Sequence, residues 1–193
     1  MSPPDHFTPV ALDHAYRLLN HGPTVLVSSA HAGRQNVMAA AWACALDFAP
    51  PKVTVVIDKA TATRALVQAS GCFALNVPGR ALAAQTVGVG TDSARDVPDK
   101  LQRHGVRLFT AEPAAVPLVH GCVAWLACRL IDEPHNQQVY DLFIGEVIAA
   151  WADARVFRAG RWHFEDAPDA LRTLHYVGGG RFYAIGEPVQ VPQ

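Results

Sequence analysis

Two hydroxyls and a guanidinium fall within four residues at Thr61-Ala62-Thr63-Arg64, with Lys59 just ahead of them, and this grouping is suited to holding a phosphate. A strand predicted over 53–57 gives way to a helical pattern with Ala65, Leu66 and Ala69 on one side, so Thr61 reads as the helix N-cap. The first N–H groups of a helix have no intrahelical partners and lie at the positive end of its dipole, so an anion is favoured there. Thr61, Thr63 and Arg64 add donors of their own. The same residues also compose an ordinary helix start that binds nothing, and the spacing alone leaves both readings open.

Upstream, Asn36, Met38, Ala39, Ala40, Ala41 and Trp42 present little side-chain bulk and much accessible backbone, which suits a planar ring bound by main-chain hydrogen bonds. Each position has a structural alternative. Trp42 serves equally as a barrel-core aromatic, Asn36 as a turn-closing residue after Gly33, Asn76 as a strand terminator before Pro78, and Lys59 as a solvated ammonium.

The elements that must position these residues are mostly strands. A first helix is predicted to begin at Thr8-Pro9 and run to Gly22, with Ala11, Ala15, Leu18 and Leu19 at helical spacing. Strands over 24–30 and 36–45 follow, joined by a hairpin in which Gly33 supplies positive φ. A strand over 73–77 precedes helical stretches over 81–87 and 98–104, with the polar run 88–96 between them as a loop or lid. Strands over 106–109, 123–131 and 138–150 complete a set long enough for a barrel, with Pro134-His135-Asn136 as a turn. Glu146 is expected to be partly buried and paired with a base, and Gly178-Gly179-Gly180 permits a sharp reversal.

In order, NVMAAAW, PPKVTVVIDKATATR, SGCFALNVP, RDVPDKLQRHGVRL, VAWLACRLID, FIGEVIAAW and HYVGGGRFYAIGE resemble the flavin reductase-like proteins, and within them the flavoredoxin subgroup, over about residues 12–187. The resemblance implies a mainly β single domain over 1–193 with peripheral helices, an FMN-binding split β-barrel of Greek-key type. It implies FMN as cofactor, with the backbone of 38–42 along the flavin edge and Trp42 near the ring or ribityl chain. Lys59, Thr61, Ala62, Thr63 and Arg64 then lie at the phosphate, and Asn36 and Asn76 at polar parts of the ligand. NADH or NADPH would donate a hydride, and a flavin, a ferric complex or a partner protein such as a monooxygenase would accept electrons. The family's sites lie at or near a dimer interface, which implies a homodimer. One position departs from the pattern: many flavin reductases carry a histidine before the strand equivalent to FIGEV, and this chain has Tyr140, which stacks but carries no cation. The alternative reading is therefore an FMN-binding electron carrier or redox sensor that turns over no nicotinamide.

Composition sets independent bounds. A chain of 193 residues with 50% hydrophobic content supports one sizeable core. With 17% charged residues and a formal net charge of -1, it lacks the basic field that nucleic-acid or anionic-membrane binding requires. The N-terminal residues show no signal-peptide pattern, so a soluble, cytoplasmic protein is expected. Cys44, Cys72, Cys122 and Cys128 form no C-x-x-C pair and read as reduced core thiols. No G-x-S-x-G, H-E-x-x-H or dinucleotide fingerprint occurs, so neither a hydrolase, a metal site nor a Rossmann fold is expected.

Overall fold

In the computed structural model, residues 1–191 are described. The strands are β1 (Phe7–Val10), β2 (Val25–His31), β3 (Arg34–Ala40), β4 (Ala43–Phe48) and β5 (Pro51–Val56). Helix α1 (Ala62–Ser70) and strand β6 (Cys72–Pro78) follow, then α2 (Ala83–Thr91), α3 (Lys100–Arg103), β7 (Leu108–Ala111), β8 (Ala114–Val119) and β9 (Cys122–Ile131). The chain continues through α4 (Pro134–Val139), β10 (Leu142–Asp153) and the short hairpins β11 (Phe157–Arg158) with β12 (Arg161–Trp162) and β13 (Leu174–Gly178) with β14 (Arg181–Ala184).

One antiparallel sheet runs in the order β3-β2-β6-β9-β10-β5-β4, with β1 added to the far end of β10. Strands β3 and β4 are the two edges of this sheet yet are joined by only Ala41 and Trp42. Two residues span too little distance to connect the edges of a flat sheet, so the sheet must curl into a barrel left split between β3 and β4. Its interior is apolar, with Val27, Leu75, Leu126, Phe143 and Val53 in one buried cluster. A second cluster, including Trp125, Trp151, Phe109 and Leu118, seals the outer face beneath the β7–β8 hairpin and α2.

Local chemistry explains the turns. Ala32 and Gly33, at φ 49° and 75°, form the two-residue connection of the β2–β3 hairpin, the left-handed pair that matches strand twist. Gly71 closes α1 in the left-handed conformation, its N–H bonded to the Val67 carbonyl. Gly145 has no room for a side chain, since a Cβ there would sit 2.5 Å from Phe73 Cζ.

Several sequence expectations are corrected. The helix expected from Thr8-Pro9 is instead strand β1 followed by a 3₁₀ stretch over Leu12–Leu18, because β10 outruns β5 and its open end pairs with Phe7–Val10. The strand expected over 36–45 breaks at Ala41-Trp42, where the chain crosses the split. The strand expected over 138–150 begins only at Leu142. Pro134 stands in the first turn of α4, where its missing N–H costs nothing, and Asp141 at φ 54° redirects the chain into β10. Helix α2 absorbs Gly88, Val89, Gly90 and Thr91, so the polar loop starts at Asp92. Strand β8 was not anticipated. Cys44 is exposed rather than in the core, Cys72 is half-buried, and all four cysteines are free. Glu146 pairs with Arg129 at 2.9 Å.

Candidate flavin-binding site

Strand β3, the first turn of α1 and the C-terminal end of α2 enclose two adjoining cavities of about 220 Å³ each, which share Ala39, Gly90 and Thr91. Together they reach the size range of small-molecule sites, roughly 300–1,000 Å³. The cavities are close because α2 rests on β3 through a glycine: a Cβ on Gly90 would lie 3.1 Å from the Ala39 Cβ.

The first, or polar, cavity gathers donors suited to an anion within a largely apolar wall that also carries Asp92. Asn36, Met38, Thr61, Ala62, Thr63, Ser93 and Lys100 line it. Asn36 is 3% exposed; its Nδ2 donates to Thr63 Oγ1 at 3.0 Å, while its Oδ1 has no partner among the described residues. No side chain caps α1, because the Thr61 hydroxyl donates instead to the Asp58 carbonyl at 2.8 Å. The first amides of α1 therefore remain available to a ligand at the positive end of the helix dipole. Lys100, 2% exposed, donates to the carbonyls of Val89 (2.9 Å) and Asp92 (2.7 Å). An ammonium has three donors, so one remains. Burial lowers the Lys100 pKa, and the Asp92 charge opposes that shift. The Asp92 carboxylate itself is engaged by His104 Nε2 at 2.8 Å and Arg103 at 3.8 Å.

The second cavity is lined by Thr24, Ala39, Thr86, Val87, Tyr176, Gly180 and Phe182. Its aromatic wall is the β13–β14 hairpin, whose turn holds Gly178, Gly179 and Gly180 at φ 101°, 59° and 73°. Only glycine adopts such a succession without strain.

Six predicted positions meet around the polar cavity: Asn36, Met38, Ala39, Thr61, Ala62 and Thr63. The other six do not line it. Ala40 packs on the barrel core, and Ala41 and Trp42 are exposed at the split, Trp42 by 76%. Lys59 is exposed, with Nζ 3.7 Å from Asp141. Arg64 faces away, bonding the Ile57 and Gln137 carbonyls and the Asp141 carboxylate and lying 5.2 Å above the Phe143 ring. It staples α1 to α4 and β10, and that hydrogen bond holds the Asp141 carboxyl below its ordinary range. Asn76 is fully buried and spent on Leu26, Ser28 and the Val119 amide. Sequence reasoning named no site role for the side chains of Lys100, Ser93, Tyr176 or Phe182, although the family resemblance implies that the tail holding Phe182 runs past the flavin. The run containing Lys100 carried part of the family resemblance, but no spacing pointed its side chain at the cavity. Tyr140 is 61% exposed and meets His135 edge-on at 5.6 Å.

The fold is a barrel split between two edge strands, with a cavity beside the split. A family model, the flavin reductase like domain, matches residues 17–181. The chain is 46% identical over 186 residues to the uncharacterised protein YddH of Escherichia coli (strain K12), covering 95% of this chain and 97% of that one. It is similar to the crystal structure of an FMN-binding domain of a flavin reductases-like enzyme from Shewanella baltica OS155, at 56% identity and a TM-score of 0.95, covering 96% and 97% of the two chains. Flavoredoxin of Desulfovibrio vulgaris (Miyazaki F) is 26% identical with a TM-score of 0.75, covering 88% and 90%. The protein belongs to the flavin reductase-like family.

Proposed function

We propose that this protein binds FMN with its phosphate in the polar cavity and works as an NAD(P)H-dependent flavin reductase. The observation that carries the reading is the coincidence, in one cavity, of Lys100 and the uncapped α1 amides as donors for a phosphate, with Asn36 Oδ1 beside them as an acceptor for a ligand hydroxyl or N–H. Bound FMN supplies hydride and electron chemistry that no side chain can. The chain's own part is positional. Thr63, Lys100 and the open amides at the start of α1 hold the phosphate end, with Thr61 spent on the Asp58 carbonyl that shapes the turn. Met38 and Ala39 leave room along β3, and Tyr176 and Phe182 give the adjoining cavity an apolar wall that limits water. Arg64 and Asn76 act through the scaffold, and Ala40, Ala41, Trp42 and Lys59 lie outside the cavity, next to the split. The electron acceptor in this reading is a free flavin, a ferric complex or a partner such as a monooxygenase.

A second reading, an FMN-binding electron carrier or sensor, rests on Tyr140, which presents no cation to a nicotinamide. A homodimer suits edge strand β4 and the connection before it, which leave Trp42, Leu46 and Phe48 exposed (76%, 52% and 66%), a hydrophobic edge that a second copy would cover. A cytoplasmic setting suits four cysteines without a disulfide. Anaerobic mixing of FMN-loaded protein with NADH and with NADPH tests the reductase. Rapid bleaching of the visible flavin band is expected with one donor; bound flavin that stays oxidised with both would favour the carrier.

A further inference from the structure

One side chain links two of the walls of the polar cavity. The loop after α2 contributes Asp92, Ser93 and Ala94 to the cavity wall, and the next residue, Arg95, reaches across to the opposite wall at the start of α1. Its Nη2 donates to the carbonyls of Lys59 at 3.4 Å and Thr61 at 3.5 Å. Both contacts are at the limit of hydrogen bonding, where such bonds contribute little. Arg95 is exposed and makes no ion pair among the described residues, although Asp92, Asp96 and Asp99 are close in sequence. A guanidinium has five donors and matches phosphate in a bidentate fork. Here it holds only weak carbonyl contacts beside a cavity whose interior already carries Lys100 and the open amides of α1.

Resting on the flavin reading above, we infer that Arg95 is a specificity-determining clamp: it exchanges its two carbonyl contacts for the phosphate of a flavin nucleotide and makes the site prefer FMN to riboflavin. The carbonyl contacts keep the side chain beside the cavity when no phosphate is present, and their weakness keeps the exchange inexpensive. A ligand without the phosphate gains nothing from it.

The test is fluorescence-quenching titration of FMN and of riboflavin into wild type, Arg95→Gln and Arg95→Lys, with thermal unfolding of each. The clamp predicts that Arg95→Gln weakens FMN about 10- to 100-fold while riboflavin affinity and Tm stay the same. Arg95→Lys should recover part of the loss, and the FMN preference of wild type should shrink with added salt more than that of Arg95→Gln. Equal losses for FMN and riboflavin, or a lowered Tm with unchanged preference, would make Arg95 a structural tie and overturn the clamp. Unchanged FMN affinity would do the same while leaving the flavin reading intact. Wild type that binds neither ligand would overturn both.

Discussion

At the scale of single residues, the chain separates groups that face a ligand from groups of the same type that hold the fold. Thr63 and Arg64 are neighbours on α1, yet Thr63 joins Asn36 at the cavity floor while Arg64 turns to Asp141 and Gln137. Thr63→Val keeps the shape but removes the hydroxyl and leaves the buried Asn36 amide without its acceptor, so FMN affinity should fall by about 1–2 kcal/mol in an equilibrium titration and the unfolding midpoint should fall with it. Arg64→Ala should act on stability and leave the cavity's donors in place. It leaves Asp141 and two carbonyls without their donor, and urea unfolding should register a loss of about 2–4 kcal/mol. Because Arg64 depresses the Asp141 pKa, the stability from this pair is present above the ordinary carboxylate range and is lost as pH falls through the lowered folded value. Arg64→Ala should therefore remove part of the acid limb of wild-type stability. Sequence alone could not divide Thr63 from Arg64. Both satisfy the helix-start pattern, and the division depends on which way α1 rolls against α4, an element about 70 residues downstream.

At the scale of elements, most strands were legible because their apolar alternation is local, and so was the start of α1. What escaped was decided by distant partners. Residues 7–10 carry Pro9 and read as a helix start, but the free end of β10 recruits them as a strand. The glycines of α2 read as a loop, yet their missing side chains are what let the helix approach: a Cβ on Gly88 would lie 2.2 Å from His104 Nδ1. The floor and first-turn wall of the site, Asn36 to Ala39 and Thr61 to Thr63, were legible. The opposite wall was not, since Lys100 and Phe182 reach the site only through tertiary packing. Close packing also sets a test inside the barrel. Gly145→Ala would press a methyl into Phe73 and Cys128, and overpacking there should cost about 1–3 kcal/mol by denaturant unfolding.

At the scale of the whole molecule, His21 adds to the acid sensitivity that the Arg64–Asp141 pair brings. It lies between Trp162, Phe164 and His175, with Nε2 2.9 Å from Thr173 Oγ1 and Nδ1 buried without a partner among the described residues. Burial, reinforced by the nearby His175, lowers its pKa from 6.5 to about 4. The unfolded chain thus takes up a proton near pH 6.5 that the folded chain refuses until about pH 4, and stability should drop across that window by on the order of 3 kcal/mol. His21→Gln should flatten the difference between unfolding free energies measured at pH 7 and pH 4.5; an unchanged difference would assign the acid limb to carboxylates. Assembly is the other property at this scale. Leu46→Lys with Phe48→Lys should shift a dimer to monomer in sedimentation equilibrium if β4 is the covered edge. The account as a whole depends on the polar cavity taking the phosphate of a flavin, and isothermal titration of the wild-type protein with FMN, riboflavin and inorganic phosphate measures that directly. Saturable FMN binding at one site per chain, much tighter than riboflavin and competed by phosphate, is the predicted result. Equal affinity for FMN and riboflavin, or no saturable binding of either, would contradict it.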